Sequence, residues 1–396
     1  MASHSSSNPA PATWILLLIV MVPQLGLTLI NPANATIAGE LNTSVSTVEL
    51  TLTVYMIGYA TSMFISGTLA DRFDASRLQS LGLGLFALGS IIAATSPTIT
   101  VLAIGRFFQA FGGTSATVLC RIIVQRRYPS DLRLGVLTSM SMIISLTPSF
   151  SPLLGGILAE VLPWRVMFLI LSIFSLALIP MIEFLLGKAN PERPGLPSAS
   201  EFSAAIAQSL HNADYRWYAI AISLVWMTYF GFVSASTTIL QEFLGQSAVT
   251  YGVLMAISAI GYLTGSILVK RATDVPYVVG LGAGLGTIGI IATGVTTATG
   301  WINQPLVVAV VMSVVFLGVG ATIPYTQAGL LELDLDYPGV AAGLFFFIQM
   351  AGGAAFSAFL GAVSLPSVAA YMLVLMVPQT IVTLMIARAR RKNSLH

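Results

Sequence analysis

The segment Gly67-Thr-Leu-Ala-Asp71-Arg72-Phe-Asp-Ala-Ser-Arg77 is charged and lies between two long apolar runs, and this position indicates the fold. The chain around it is 56% hydrophobic and 8% charged, whereas soluble domains carry about 25% charged residues. This composition excludes a water-soluble globular protein. The segment is therefore predicted to be a loop between two helices that cross a membrane.

Apolar runs of the roughly 20 residues that a helix needs to cross a bilayer recur along the whole chain. Helices satisfy their own backbone hydrogen bonds in lipid, so the fold is predicted to be an all-α membrane protein. The twelve predicted transmembrane helices cover 14–38, 48–70, 78–96, 99–125, 134–160, 165–187, 216–242, 249–271, 276–298, 304–328, 339–363 and 367–388. The first run follows a segment without a basic residue or a small-residue cleavage site, and it is predicted to be a retained helix.

The cations are distributed unevenly between the loops. Of the 17 Lys and Arg, all except Arg106, Arg121 and Arg165 fall in every second loop or in the C-terminal tail. The positive-inside rule places these loops in the cytoplasm. Both termini are then cytoplasmic, which requires an even number of helices and agrees with twelve. The predicted location is the inner membrane of a bacterium.

A polar linker, residues 188–215, divides the chain near its middle. Its Pro- and Gly-rich first part cannot continue a helix. Ser198 and Glu201 then have capping-box spacing and precede an apolar stripe, which predicts a short amphipathic helix on the cytoplasmic surface. An irregular loop is the alternative. The domains predicted on either side are a six-helix bundle over 1–187 and a second over 216–396.

The two bundles share a sequence repeat. Ile57-Gly-Tyr-Ala-Thr61 in the second run matches Ile260-Gly-Tyr-Leu-Thr264 in the eighth, the same ordinal helix of each half. A repeat at this position indicates an internal duplication and therefore two pseudo-symmetric bundles. Transporters built in this way bind substrate between their halves, near the middle of the membrane.

Several motifs resemble those of the major facilitator superfamily. Gly67-x-x-x-Asp71-Arg72 with Arg77 looks like its cytoplasmic signature loop, and Arg106-x-x-Gln109-x-x-Gly112-Gly113 resembles its Arg-containing motif. Pro148-x-x-x-Pro152-x-x-Gly155-Gly156 is similar to the Pro/Gly motif of its antiporters. Trp164-Arg165-x-x-Phe168 and Tyr337-Pro-Gly-x-Ala-Ala-Gly343 look like the bicyclomycin-resistance branch of drug exporters.

The resemblance implies a proton-coupled multidrug exporter that works by alternating access. Two motifs would then form the conformational switch. The charged loop would act as a latch through Gly67, Asp71, Arg72 and Arg77; a plain turn that sets topology is the alternative. The fifth helix would act as a hinge through Pro148, Pro152, Gly155 and Gly156; a Pro kink in a static bundle is the alternative.

Arg106 is the costliest residue to bury, since an intramembrane guanidinium must be solvated or paired. With Gln109 and Gly113 it forms one helical stripe, which predicts a cavity-facing role in substrate binding or proton coupling. A snorkelling or structurally paired arginine is the alternative. Arg121, near the inner boundary, is more typical of a snorkelling anchor.

Polar and aromatic side chains suggest the remaining substrate contacts. The first run carries four on one helical face, Gln24, Thr28, Asn31 and Asn34, which predict a wet cavity; hydrogen bonding between helices is the alternative. The seventh and eleventh runs supply an adaptable aromatic wall, for which packing or lipid contact is the alternative. Its predicted members are Trp226, Tyr229, Phe230, Phe345, Phe346 and Gln349, with Thr237 nearby.

Carboxylates are missing from the middle of every predicted helix. Arg106 is therefore the strongest charge predicted near the centre, and a neutral or anionic amphiphilic substrate fits it better than an organic cation. A dedicated transporter of one metabolite, such as a carboxylate siderophore, is the alternative. A receptor or scaffold would need neither the polar stripe nor the Pro/Gly motif.

Other classes of function are excluded by composition. Cys120 is the single cysteine, and the three histidines lie outside the predicted helices. No catalytic nucleophile with a base and no phosphate-binding Walker loop is found, so neither an enzyme nor an ATP-driven pump is predicted. No cofactor, metal or nucleic acid is expected. The predicted partners are a small-molecule substrate, protons and the lipid bilayer, with the chain acting as a monomer.

Overall fold

A computed structural model describes residues 12–70, 73–186, 199–271, 275–331, 333, 335, 338–363 and 365–393. Asp71 and Arg72 of the predicted latch lie outside these described residues. Within them the chain is helical and contains no strand. The helices are α1 (Thr13–Thr28), α2 (Asn34–Glu40), α3 (Val45–Ala70), α4 (Ala75–Ala94), α5 (Ile99–Arg127), α6 (Ser130–Val161), α7 (Trp164–Met181), α8 (Ala199–His211), α9 (Ala213–Thr237), α10 (Ala248–Arg271), α11 (Val275–Ala298), α12 (Pro305–Leu331), α13 (Pro338–Ala362) and α14 (Val368–Asn393).

Twelve of these segments are long enough to cross a membrane. A short 3₁₀ turn, Asn31–Ala33, joins α1 to α2, and together they form one apolar span, Thr13–Glu40. Nine spans in the described part of the chain are apolar enough to cross by length and hydropathy. The others are α3, α6 and α11, with 26, 32 and 24 residues. The chain is an all-α multi-pass membrane protein with twelve transmembrane helices, as predicted.

The helices form two six-helix bundles. In the first, α4 packs on α5 and α7, while α1 packs on α5 and α6. In the second, α10 and α11 pack on α12, and α9 packs on α13 and α14. Helix α8 occupies the part of the linker where a short helix was predicted, and it contacts α9 and α13.

The sequence repeat marks equivalent helix crossings in the two bundles. Helix α3 packs on α5, and its counterpart α10 packs on α12. A Cβ added at Gly58 would lie 2.6 Å from the carbonyl oxygen of Phe107, and one at Gly261 would overlap the carbonyl of Ser313. Both repeats therefore hold a glycine where the second helix of a bundle touches the backbone of the fourth.

The bundles meet along two helix pairs, α3 with α13 and α6 with α10. Glycine permits close approach at both. A Cβ at Gly252 would lie 2.6 Å from the carbonyl oxygen of Pro152, and one at Gly353 would lie 2.7 Å from the Met56 side chain. We call the two ends of the molecule outer and inner, after the orientation predicted from the cations. The outer end carries Glu49, and the inner end carries Arg77.

Candidate substrate cavity

A cavity of about 810 Å³, including the part open to solvent, lies between the two bundles. Both bundles contribute to its lining, as expected of a site at the interface of two repeats. The lining residues are Gln24, Leu27, Tyr59, Met63, Thr117, Arg121, Ile144 and Pro148 from the first bundle, and Trp226, Tyr229, Phe230, Tyr262, Ile323, Gln327, Phe346, Gln349 and Met350 from the second.

The first bundle gives the cavity a polar wall. Gln24 Nε2 donates a hydrogen bond of 3.1 Å to Tyr59 Oη, which lies 3.5 Å from Thr117 Oγ1. These groups come from α1, α3 and α5, so three helices meet at this wall. The sequence predicted that Gln24, Thr28, Asn31 and Asn34 would line a cavity. Of these four residues, Gln24 lines this one.

The second bundle gives an aromatic wall. Trp226 stacks on Phe230 with ring centroids 4.7 Å apart, and Tyr229 lies 5.2 Å from the ring of Phe316. Within the described part of the chain, Trp226 Nε1 and Gln349 Oε1 are buried without a hydrogen-bond partner. Predicted residues Trp226, Tyr229 and Gln349 thus lie together in the cavity. Trp226 Nε1 and Gln349 Oε1 are therefore candidate ligand-binding atoms.

Phe345 and Phe346 have different surroundings. Phe346 lines the cavity. Phe345 is fully buried and packs edge to face on Tyr215, with centroids 6.5 Å apart. Adjacent residues on a helix point about 100° apart, so only one of the two can face a given surface. The aromatic wall therefore contains Phe346, whereas Phe345 belongs to the packing of the second bundle.

Arg121 is the cation of the cavity. Its guanidinium carbon lies 5.9 Å from the centroid of the Phe346 ring, in the second bundle. No carboxylate is found among the described residues that line the cavity. The sequence carried a signal for this position, because Arg121 follows Thr117 by one helical turn and shares its face. Its position near the end of an apolar run indicated a snorkelling anchor instead.

Arg106 lies outside this cavity, buried between α1, α3 and α5. It donates to the carbonyl oxygen of Gly26, to that of Leu27 at 3.4 Å, and to Gln109 Oε1 at 2.7 Å. Its guanidinium also lies 4.3 Å from the centroid of the Tyr55 ring. Helix α1 ends at Thr28, and its last carbonyls lack partners within the helix. Arg106 thus caps a helix C-terminus, where the helix dipole favours a cation.

Gln109 extends the Arg106 contacts away from the cavity. Its Nε2 donates a 2.9 Å hydrogen bond to Ser90 Oγ, and Ser90 Oγ donates to the carbonyl oxygen of Phe86 at 2.8 Å. Gln109 is fully buried. The predicted stripe of Arg106 and Gln109 therefore faces the interior of the first bundle. Arg106 also lines a second, smaller pocket, together with Asn31 and Asn34 among others.

A group of hydrogen bonds closes the outer end of the cavity by joining the two bundles, and we call it the outer belt. Asn34 Nδ2 donates to Thr237 Oγ1 at 3.3 Å, and Thr237 Oγ1 donates to the carbonyl oxygen of Asn31 at 3.2 Å. Gln241 Nε2 donates to the carbonyl oxygen of Pro32 at 2.9 Å. Asn31 and Asn34 thus take part in contacts between the bundles.

Glu49 completes the outer belt. Its carboxylate accepts hydrogen bonds from Thr238 N at 3.0 Å and from Thr238 Oγ1 at 3.2 Å. Glu49 is 3% exposed although it carries an ionisable group. A carboxylate at a helix end was not predicted to have a role. Glu49 is buried because the second bundle packs against it. Helix α9 continues into a π-helical segment, Thr238–Phe243, and the first residue of that segment supplies both donors.

The Pro/Gly motif lies in α6, which runs unbroken through Pro148 and Pro152. Pro152 has no N–H for the carbonyl of Pro148. Thr28 Oγ1 donates to that carbonyl oxygen at 3.4 Å and also contacts Ser151 Oγ. A Cβ at Gly155 would overlap the carbonyl of Leu29 in the first bundle. A Cβ at Gly156 would overlap the carbonyl of Ala248 in the second.

The described part of the signature loop forms the start of α4. Asp74 Oδ1 accepts a 2.8 Å hydrogen bond from the backbone N–H of Arg77 and caps the helix. The Arg77 side chain is exposed, and Gly67 lies in the last turn of α3. No group of three or more His, Cys, Asp or Glu able to hold a metal occurs among residues whose positions are described.

Comparison with known proteins identifies the family. The family model described as Major Facilitator Superfamily matches residues 16–358. This chain therefore belongs to the Major Facilitator Superfamily. Members of this superfamily are transporters, not enzymes.

Two relatives differ in how much of the chain they match. YdgK of Bacillus subtilis strain 168, an uncharacterized MFS-type transporter, is 25% identical over 354 residues, which are 88% of each chain. The multidrug resistance protein MdtL of Shigella dysenteriae serotype 1 is 28% identical over 223 residues. That alignment covers 56% of this chain and 56% of MdtL.

Solved structures share the fold at low sequence identity. A D-xylose-proton symporter is 16% identical, with a TM-score of 0.74 over 94% of this chain and 96% of that one. A bacterial homolog of the human lysosomal transporter Spinster, in an inward-facing and unoccupied conformation, is 15% identical, with a TM-score of 0.72 over 96% of each chain. At these identities the likeness shows the fold alone.

Proposed function

We propose that this protein exports small amphiphilic molecules, neutral or anionic, by alternating access driven by a proton gradient. The observation that carries the proposal is the cavity between the bundles, which combines an aromatic wall, amide groups and Arg121 with an outer end closed by the outer belt. The similarity to multidrug resistance protein MdtL supports a drug-like substrate. The proposed location is the bacterial inner membrane, with both termini cytoplasmic.

We propose that the two bundles, within 1–187 and 216–396, rock against each other while the linker 188–215 accommodates their movement. Opening the outer end must break the hydrogen bonds of the outer belt. Gly156 and its partner at Ala248 lie on the same interface, so the Pro/Gly motif fits a pivot. The latch of Gly67, Asp71, Arg72 and Arg77 would stabilise closure of the inner end through charge-assisted hydrogen bonds.

Proteoliposomes provide the direct test of transport. With an acidic lumen, proton antiport should accumulate chloramphenicol, a neutral amphiphile, or 2-naphthoate, an aromatic carboxylate. Asp71→Asn removes the charge of the latch, and this variant should transport much more slowly at equal protein content. Asp214→Asn, at an exposed carboxylate near the start of α9, is the matched control and should behave as wild type. If neither chloramphenicol nor 2-naphthoate accumulates under the proton gradient, the proposal is refuted.

A dedicated transporter of one carboxylate metabolite, such as a siderophore, is supported by the same Arg121. The two proposals differ in selectivity. A multidrug exporter should accumulate several unrelated amphiphiles with similar efficiency. A dedicated transporter should discriminate by orders of magnitude against all but one of them, and competition between unlabelled compounds for transport measures this difference.

The proposed orientation has its own test. Ser44 precedes α3 at the outer end, and Ser203 is exposed on α8. In a background lacking Cys120, a cysteine at position 44 should react with an impermeant maleimide added from the periplasm. A cysteine at 203 should react only after the membrane is opened. Labelling of position 203 in intact cells would reverse the proposed topology.

A further inference from the structure

We infer that the cavity contains an anion-binding subsite on Arg121 and that the preferred substrates are aromatic monoanions, in which a carboxylate is joined to a flat apolar body. The inference rests on the proposed function, because it places the transported molecule in this cavity. It adds the charge and shape of the substrate, and it assigns the charge recognition to a particular side chain.

The cavity offers no described counter-charge to Arg121. Among the described residues, Arg121 has no hydrogen bond and no ion pair, and its guanidinium carbon lies 5.9 Å from the centroid of the Phe346 ring. By contrast, Arg165 pairs with Glu40, and Arg106 donates to two carbonyls and Gln109. A guanidinium carries five N–H donors. Those of Arg121 are available to a ligand in a cavity whose described lining contains no carboxylate.

Two unpaired polar atoms of the second bundle belong to residues that line the same cavity as Arg121. Trp226 Nε1 is a donor, and Gln349 Oε1 is an acceptor; both are buried in the cavity wall without a described partner. Gln349 is 2% exposed. A buried polar atom without a hydrogen-bond partner is unfavourable, because it has lost its bonds to water. A ligand bearing a carboxylate and a neighbouring donor, such as an amide or a hydroxyl, would satisfy these atoms together with Arg121.

The rest of the cavity surface includes flat aromatic rings. Trp226 and Phe230 are stacked with an interplanar angle of 30°, and Tyr229 packs beside them. Flat rings of this kind provide faces for an aromatic ligand body. Phe346 lies beside Arg121, so the charged and apolar parts of the cavity are adjacent. A compact molecule with one charged end therefore fits better than a polyanion.

Calorimetric titration of the purified full-length protein tests the inference with three probes of the same shape and different charge. These are 2-naphthoate, 2-naphthamide and 2-naphthylmethylamine. The wild type should bind the carboxylate about tenfold more tightly than the amide, and the amine most weakly. Arg121→Gln should lose about tenfold in affinity for the carboxylate and keep its affinity for the amide. Arg121→Lys retains the charge without the planar fork and should fall between them.

Arg388→Gln is the matched control, because it removes the same charge from an exposed position on α14. It should leave the binding of all three probes unchanged. A melting curve for each variant separates loss of binding from loss of folding. If Arg121→Gln does not fold, the affinity of Arg121→Lys for 2-naphthoate tests the inference in its place. Equal affinity of wild type and both Arg121 variants for 2-naphthoate would overturn the inference. Equal affinity of the wild type for the three probes would also overturn it.

Transport assays separate this inference from the proposed function. Wild-type protein that accumulates chloramphenicol but does not bind 2-naphthoate would disprove the anion subsite and leave the exporter intact. Protein that binds 2-naphthoate through Arg121 but accumulates no probe under a proton gradient would disprove the proposed export and retain the subsite.

Discussion

Arg106 and Arg121 lie on the same helix, about four turns apart, and have opposite surroundings. Arg106 is surrounded by acceptors from its own protein, namely the last carbonyls of α1 and Gln109. Arg121 lines the cavity, where its guanidinium lies near the Phe346 ring and has no hydrogen bond or ion pair to a described residue. Burial of a charge therefore does not by itself identify a binding residue. The relevant observation is whether the donors of that charge are already occupied.

The largest expected effect is on stability and separates the two arginines. Arg106→Gln leaves the buried carbonyls of Gly26 and Leu27 without their donor, and we expect a loss of about 1–3 kcal/mol in the free energy of unfolding for each of them. Arg121→Gln removes no described hydrogen bond and should cost less than about 1 kcal/mol. Thermal unfolding in detergent, followed by tryptophan fluorescence, measures both. A lower melting temperature for Arg121→Gln than for Arg106→Gln would contradict the comparison.

Adjacent glycines extend the comparison to the helix contacts. Gly155→Ala forces a methyl group against Leu29 within the first bundle, so we expect a lower melting temperature. Gly156→Ala forces a methyl group against Ala248, which belongs to the second bundle. This clash pushes the two bundles apart, so the variant should favour opening of the outer end and lose less stability than Gly155→Ala. Spin labels at Thr100→Cys and Gln304→Cys, both exposed at the outer end of a Cys120→Ser protein, report the opening. Identical distance distributions for the two glycine variants would refute this assignment.

A smaller effect is expected at the outer belt. Glu49→Ala removes both acceptors of Thr238 and should raise the population of the outward-open state by about tenfold, since each of the two lost hydrogen bonds contributes about 0.5–1.5 kcal/mol. Thr238→Val removes the hydroxyl but keeps the backbone donor, so its effect should be weaker. The same spin-label pair measures both variants. An equal or larger opening in Thr238→Val would show that the Glu49 carboxylate does not stabilise the closed end.

The smallest effect distinguishes Phe346 from Phe345. Phe346→Leu should weaken 2-naphthoate binding by about threefold, because an aromatic contact contributes roughly 0.5–1.5 kcal/mol, and should leave the melting temperature near that of wild type. Phe345→Leu should lower the melting temperature through its contact with Tyr215 and leave affinity unchanged. Calorimetry and unfolding curves on the same preparations test both. The opposite pattern would exchange the roles of the two residues.

The sequence predicted the twelve spans well because lipid imposes their length and polarity directly on the amino acids. It predicted the site less completely for three physical reasons. The prediction that Gln24, Thr28, Asn31 and Asn34 share one face assumed a continuous α-helix. The 3₁₀ turn at Asn31–Ala33 interrupts that helix, so the residues after it point in other directions. Two of the three hydrogen-bond partners of Arg106 are backbone carbonyls, which any sequence supplies. The contacts of Glu49 and Arg121 come from the other bundle, far away along the chain.

The unpaired Arg121 also has an electrical consequence. An aromatic monoanion that leaves the cell moves in the direction favoured by an inside-negative membrane potential, worth about 2.3 kcal/mol per charge for each 100 mV. Exchange for an entering proton moves a second charge in the same sense, so voltage and pH gradient act together. A cavity with a fixed carboxylate would select cations, and the outward movement of a cation opposes the potential. In the proposed exporter, the sign of one cavity side chain would therefore determine whether the membrane potential acts on the substrate in the direction of export or against it.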